Sequence, residues 1–318
     1  MRRICALVLG FLVSIASHAQ SYPSRPIRLV LPFAAGGLVD VPGRIIAQKL
    51  SEALGQPVVV ENRAGAGSTI GADNVAKSKP DGYTLMITST THVISANLYR
   101  QLPYDSLRDF TMLMKLAEGP YVLVVHPGLP AKSVRELVAL AKNRPGSIDY
   151  GSSGNGSSQH LVAALFCAMS GAQLNHVPYK GSDRATQDLI GGQVAVGFLG
   201  TPGALPHVKS GRLRALAVST AKRSAELPEV PTLQEAGVPG YEATIWMGLF
   251  APAGLPREIV ARLHGEVGKL LGAPEARATI AATGLEVSLS TPEEFAAFVR
   301  AEHEKWGKVV RETGATVN

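Results

Sequence analysis

The stretch Val30-Leu31-Pro32-Phe33-Ala34-Ala35-Gly36-Gly37-Leu38-Val39-Asp40 decides how the chain is read, because an apolar strand over Ile27 to Leu31 runs into it and a helix leaves it near Asp40. Small residues leave the backbone N–H groups of such a turn uncovered, and the helix adds its unpaired first-turn donors and positive dipole end. The turn is therefore a cradle for an anion. A second copy follows downstream, where Ser147-Ile148-Asp149-Tyr150 leads through Gly151-Ser152-Ser153-Gly154-Asn155-Gly156-Ser157-Ser158 to a helix beginning near Gln159. Two cradles imply one ligand held between them.

Outward from these turns, strand-length apolar runs alternate with helical patterns along most of the chain. The first set is Ile27 to Leu31, a helix to Leu54, Val58 to Glu61, a helix over Thr69 to Lys77, Thr84 to Thr88, a short helix over His92 to Tyr99, and an extended segment over Thr111 to Leu116. Tyr121 to His126 then reads as a separate strand leading into the second set, Val134 to Val218. Ile245 to Ala251 is a strand of similar character, followed by helices over Arg257 to Leu271, Pro274 to Ala282 and Pro292 to Glu312. Alternation of this kind predicts parallel sheets covered by helices on both faces. A chain that leaves one set through Tyr121 to His126 and returns through Ile245 to Ala251 makes two lobes joined by two crossing segments. A cleft between them is a hinged ligand site.

The expected division is a leader at 1–19, a first lobe of 20–121 with 250–318, and a second lobe of 122–249. Met1-Arg2-Arg3, the apolar run Ile4 to Ile15, and Ser17-His18-Ala19 before Gln20 have the three parts of a cleavable secretory signal, so the mature chain is expected to start at Gln20 and to be exported. No later run approaches the roughly 20 apolar residues needed to span a bilayer, and a soluble mature chain is expected. Loss of Arg2 and Arg3 takes the formal charge from +6 to +4 without any basic block, which suits small anions and argues against nucleic acid. Cys167 then stands alone, so no internal disulfide is expected, and its place in a helical run reads as a small buried apolar residue.

Gly65-Ala66-Gly67-Ser68-Thr69-Ile70-Gly71 follows a strand and opens a helix, but its last glycine falls one residue late for a dinucleotide fingerprint, so a tight strand-to-helix connection is the reading. The serine-rich turn admits a hydrolase nucleophile at Ser153 or Ser157, yet Asn155 occupies the position where G-x-S-x-G needs glycine, and the histidines are scattered. Asp40 could contact ligand, act as a base, or cap its helix. No His/Cys/Asp/Glu set has metal-ligand spacing, and neither metal nor cofactor is expected. Ser133 with Glu136, and Thr291 with Glu294, read as capping boxes.

Taken together, Tyr22-Pro23-Ser24-Arg25-Pro26-Ile27, Pro32 to Gly37 with Asp40 and Arg44, Glu61-Asn62-Arg63, Pro80-Asp81-Gly82-Tyr83-Thr84, Tyr150-Gly151-Ser152-Ser153-Gly154, Val177-Pro178-Tyr179-Lys180-Gly181, Gly191-Gly192-Gln193-Val194 and Leu227 to Thr232 resemble, in order, the periplasmic solute receptors of tripartite tricarboxylate transporters, the Bug receptors. The resemblance implies a two-lobe Venus flytrap of α/β lobes, no catalytic activity, a small organic carboxylate as ligand, a membrane permease as partner, and a periplasmic monomer. It implies ligand contacts from Phe33, Ala35, Gly36, Gly37 and Asp40 in the first loop and from Ser152, Ser153, Gly154, Asn155, Gly156, Ser157 and Ser158 in the second, with Ser89 and Thr90 at the rim. The same binding site would serve a sensor of a signalling partner. The chain departs from the family pattern at Val39, Gly43, Ala164 and Ala195, and a missing acid at 195 reads as loss of a partner for a ligand amine.

Overall fold

The computed structural model describes residues 22–36 and 39–316. The expected leader, the start at Gln20 and the ligand role of Gly37 lie outside the described residues.

The chain opens with β1 (Ile27–Leu31), α1 (Asp40–Leu54), β2 (Val58–Asn62), α2 (Thr69–Ala76), β3 (Thr84–Ser89) and α3 (Thr91–Leu98). Four of the five β1 residues are buried, as expected for a parallel strand covered on both faces. Gly55 ends α1 in the left-handed conformation (φ 66°) and returns its N–H to the Ser51 carbonyl, a C-terminal arrangement that glycine adopts without strain. β1 pairs in parallel with β2 on one side and β3 on the other, so the carboxyl ends of all three strands share one sheet edge.

Next comes β4 (Phe110–Val125), one continuous 16-residue strand. The separate segments expected over Thr111 to Leu116 and Tyr121 to His126 are thus fused. The gap between the two expected segments is where β4 changes partners, from β9 up to Pro120 to β7 from Tyr121, rather than where the strand ends; its register shifts against β9 lie earlier, between Met112 and Met114 and between Lys115 and Ala117. After it come α4 (Val134–Asn143), β5 (Asp149–Ser152), α5 (Ser158–Ser170), β6 (Asn175–Pro178), α6 (Ser182–Ile190), β7 (Val196–Gly200), α7 (Thr201–Lys209) and β8 (Arg214–Val218). The chain closes with β9 (Thr244–Pro252), α8 (Arg257–Gly272), α9 (Pro274–Ala281), β10 (Glu286–Val287) and α10 (Pro292–Thr313).

The strand order is β2-β1-β3-β9-β4-β7-β5-β6, with β8 and β10 also paired to β4. Up to Pro120, β4 lies antiparallel to β9; from Tyr121 to Val125 it pairs with β7 and β8. One curled sheet therefore carries two lobes, each with parallel outer strands and helices on its faces. Ser219 pins the two crossings at the waist. Its backbone N–H donates to the Tyr121 carbonyl, its hydroxyl accepts from Tyr121 N–H and donates to the Ala243 carbonyl.

α10 locks this waist. Thr291 and Glu294 form the complete capping box that the sequence predicts, whereas Glu136 at the start of α4 reaches the Lys132 N–H and only Ser133 caps. Phe295, Val299, Glu302, Trp306 and Val309 form one buried stripe of α10 at helical spacing. Its Glu302 carboxylate, buried, accepts from Trp246 Nε1 of β9 (3.0 Å), Trp306 Nε1 (2.9 Å) and Lys305 Nζ (3.1 Å). Gly248 of β9 is what lets the helix sit this close, since a Cβ there would overlap the Phe295 ring.

Candidate functional site

In a parallel sheet the strand-to-helix turns gather at the carboxyl ends of the strands, and ligands enter there. β1, β2 and β3 end beside one another, and across from them ends β5. Between them lies a cavity of about 290 Å³ lined by Pro32, Phe33, Ala34, Ala64, Gly65, Gly67, Ser68, Thr91, Ser95 and Tyr99 from one lobe and Ser153, Asn155, Gly156, Ser157 and Ser158 from the other. The two cradles read from the sequence face each other across this gap. Its lining residues carry no charged side chain.

The first turn is held from behind. Asp40, 3% exposed, receives Gly36 N–H (2.9 Å) and Arg44 Nε (3.0 Å) on Oδ2 and Asn62 Nδ2 (2.8 Å) on Oδ1. Asn62 also donates to the Phe33 carbonyl and accepts from Arg44 Nη2. Burial alone would raise the Asp40 pKa, but the hydrogen bonds from Arg44, Gly36 and Asn62 outweigh it and hold the carboxyl below its ordinary range. Both carboxylate oxygens are thus spent on the turn. Phe33 lines the cavity, while Ala35, Gly36 and Asp40 do not. Nor do Ser89 and Thr90: Thr90 Oγ1 donates to the Thr244 carbonyl and accepts from Trp246 N–H, tying the turn to β9. The next residue, Thr91, is the one on the wall.

The second turn is internally bonded. Ser153 N–H donates to Gln159 Oε1 (2.8 Å), Gly154 N–H to Ser152 Oγ (3.2 Å), Gly156 N–H to His160 Nδ1 (3.1 Å) and Ser157 N–H to the Gly154 carbonyl (3.2 Å). Ser157 Oγ accepts from His160 N–H as the α5 cap. The donors left to the cavity are the hydroxyls of Ser153 and Ser157, the Asn155 side-chain amide and the backbone N–H groups of Ser158 and Gln159, which no intrahelical carbonyl can reach, while the Ser158 hydroxyl is engaged with that of Tyr121. Ser152 and Gly154 lie off the wall and brace it. His160 stacks on His176 at 4.0 Å between centroids, and His176 Nε2 lies 2.6 Å from Ser152 Oγ. Burial, then the neighbouring His160, lowers the His176 pKa to about 4, and burial lowers His160 as well. Neutral imidazoles are required here, because a protonated His160 Nδ1 could not accept the Gly156 amide. Ser152, fully buried beside His176, is closed to any substrate.

The sequence reading missed the wall formed by Ala64, Gly65, Gly67 and Ser68. Its sequence reads as a tight connection, and the signal that places it is topological: it follows a strand parallel to β1, so it reaches the same edge. Ser95 Oγ donates to the Gly67 carbonyl (2.6 Å), and a Cβ on Gly67 (φ 59°) would sit 2.7 Å from that oxygen. Ala195 corrects a further expectation. Its N–H donates to the carbonyl of Asp149, the first residue of β5, whereas the cavity turn follows the last, Ser152. An acid at 195 would lie at the far end of the strand from the cavity and could not pair with a ligand amine there.

Comparison with known proteins places this geometry. The model of the Tripartite tricarboxylate transporter family receptor matches residues 43–315. Protein BugT of Bordetella pertussis is 39% identical over 322 residues, spanning 99% of this chain and 98% of the relative. Among solved structures, an R. palustris protein with adipate superposes with a TM-score of 0.86 at 39% identity, covering 93% of this chain and 99% of that one. MatC from Rhodopseudomonas palustris, with bound malate, superposes at 0.82 and 32% identity, covering 91% and 100%.

Proposed function

We infer that this chain, which belongs to the tripartite tricarboxylate transporter receptor family, holds its small organic carboxylate in the cavity between the two lobes. It is a periplasmic solute receptor, not an enzyme, and receptors of this family work with a transporter permease. The observation that carries the reading is the pairing of neutral donor turns from opposite lobes around one cavity. Such donors bind a carboxylate without burying a fixed cation, whose desolvation costs several kcal/mol. The adipate and malate bound by two structural relatives support a carboxylate of that size.

The contacts are Phe33 and Thr91 on one side and Ser153, Asn155, Gly156, Ser157 and Ser158 on the other, with Gly36, Asp40, Thr90, Ser152 and Gly154 shaping the turns behind them. The lobes divide near 121/122, which the partner change in β4 supports; the return, expected at 249/250, is drawn earlier, near Thr244, because β9 pairs with the first half of β4 from there on. The protein is delivered through a cleavable leader at 1–19, acts as a monomer, and docks its loaded form on the permease subunits.

A thermal-shift screen of the purified protein against organic acids tests this reading, followed by mass spectrometry of ligand released from native protein. At least one carboxylate is expected to raise Tm, and Ser153→Trp, which fills the cavity, is expected to abolish that shift while the ligand-free Tm stays within a few degrees. No shift across a broad carboxylate panel would overturn it.

A further inference from the structure

Gly156, buried on the cavity wall with a left-handed backbone (φ 73°), gives its N–H to His160 Nδ1 at 3.1 Å. That bond needs a bare Nδ1, so a neutral His160 carries its proton on Nε2. The ring is held in place from behind. It lies flat against His176 of β6, with 4.0 Å between centroids and 5° between planes. His176 is fixed in turn by Tyr150 of β5, stacked on it at 4.9 Å, and by Ser152 Oγ at 2.6 Å. Three stacked rings from β5, β6 and α5 thus connect the sheet of the second lobe to the Gly156 amide. The backbone N–H of the same His160 donates to Ser157 Oγ (3.2 Å), so one residue holds two neighbours on the cavity wall without lying on the wall itself.

The two imidazoles respond differently to a proton. A protonated His176 can donate from Nε2 to Ser152 Oγ, whose own hydroxyl then donates to the Gly154 carbonyl, and both bonds survive. A protonated His160 sets N–H against N–H at Gly156, and that bond is lost. Stacking at 4.0 Å opposes the two charges, so the pair takes up its protons one at a time. No neighbour offsets the first of them. Burial raises the Tyr150 hydroxyl and the Cys167 thiol, which keeps both neutral; Asp149 and Asp188 act on Tyr179; Lys180, Asp183 and Arg184, in the following turn and α6, are exposed. Burial lowers the pKa of both imidazoles, and His160 lowers that of His176 further.

We propose that His160 is the positioning residue of the second turn, and that its protonation releases Gly156 and with it the ligand carboxylate, so that the receptor holds its ligand at neutral pH and lets it go in acid. The proposal rests on the carboxylate-receptor reading and adds a residue that acts on the ligand only through the turn. Its sign is fixed by the acceptor role of Nδ1. Binding needs the neutral ring, so affinity is complete above the ordinary histidine value of about 6.5 and falls as the pH drops through the lowered one.

The test compares wild type, His160→Asn and His160→Ala by calorimetric titration with adipate and with malate at pH 7.5 and pH 5.0. Asparagine sets an amide oxygen where Nδ1 stood and does not titrate, so it keeps the acceptor at both pH values. At pH 7.5 His160→Asn is expected to bind within about 3-fold of wild type, and His160→Ala about 10-fold more weakly, because the Gly156 amide loses its acceptor. Between pH 7.5 and 5.0 wild type should lose about 3-fold or more in affinity beyond the change seen in His160→Asn, a difference that cancels protonation of the acid and of every other group. Equal pH dependence in those two proteins, His160→Ala binding as tightly as wild type, or His160→Asn binding as weakly as His160→Ala would overturn the proposal. A second readout needs no ligand: imidazole nitrogen NMR spectra of the free protein should show His160 as the Nε2–H tautomer at pH 7.5, with the Gly156 amide shift following its titration. An Nδ1–H tautomer there would overturn the proposal as well. A wild type that binds no carboxylate at pH 7.5 would overturn the receptor reading beneath it, a separate result, and the spectra would still decide the His160–Gly156 bond.

Discussion

Replacing Asp40 by asparagine separates a residue that builds the site from one that meets the ligand. Oδ2 of Asp40 receives two donors, Gly36 N–H and Arg44 Nε, and Oδ1 receives Asn62 Nδ2. An asparagine keeps one oxygen and sets an NH2 group where the other stood. If the NH2 replaces Oδ2, it faces two donors at once. If it replaces Oδ1, it faces the Asn62 amide, which cannot turn over without losing both the Phe33 carbonyl and Arg44 Nη2. One buried donor is stranded in either case, costing about 1–3 kcal/mol, and the charge-assisted character of the remaining bonds is lost. The Arg44 pair contributes little beyond this, because that side chain is half exposed. A total of about 2–3 kcal/mol corresponds to a fall of about 3–5 °C in the Tm of the ligand-free protein. The pH dependence has a definite sign. The folded carboxyl titrates below its ordinary value, so its contribution is complete above about pH 4 and vanishes as the pH falls through the lowered value. The gap between wild type and Asp40→Asn should therefore be constant from pH 5 to 7 and narrow below pH 4. Thermal and urea unfolding measure the gap, and titration with a bound carboxylate measures the site. A Tm within 2 °C of wild type combined with abolished binding would refute the reasoning and make Asp40 a ligand contact.

Two further outcomes follow from the second turn and the core. Ser157→Ala removes the cap that accepts His160 N–H, and should cost about 1 kcal/mol, or about 2–4 °C in Tm, with weaker carboxylate binding because the same turn lines the cavity; an unchanged Tm would show that Ser157 does not cap α5 in solution. His92, fully buried, and His176 both titrate near 4, chiefly through burial, against about 6.5 in the unfolded chain. The unfolded state then binds more protons between those values, so stability is complete above about pH 6.5 and falls as the pH drops toward 4, by roughly 3 kcal/mol for His92 alone. Urea unfolding at pH 7 and pH 4.5 checks this, and a wild-type loss no larger than that of His92→Gln would contradict it.

Several parts of this molecule were legible residue by residue. The run Ile27 to Leu31 into Pro32 to Gly36 and α1, and the run Asp149 to Ser152 into α5, could be read because a strand, a small-residue turn and a helix start are local signals within about twenty residues. So could Thr291 with Glu294, because a capping box closes over four. Signals of that range do not say where a strand lies in a sheet. The sequence reads as two segments, Thr111 to Leu116 and Tyr121 to His126, and only the antiparallel partners β9, β7 and β8 make it one strand.

The site divides in the same way. Its chemical character, neutral hydroxyls and helix ends suited to an anion, was determined by the sequence, because those properties belong to residue types and to turns that form locally. Its membership was decided by tertiary structure alone. Asp40 turned inward to Asn62 and Arg44, Thr90 toward β9, and Ser68 onto the wall. These orientations depend on contacts between segments tens to hundreds of residues apart, and on the parallel order of β1, β2 and β3 that brings three turns to one edge. No periodicity within a single segment encodes which of its faces will meet a neighbour that distant.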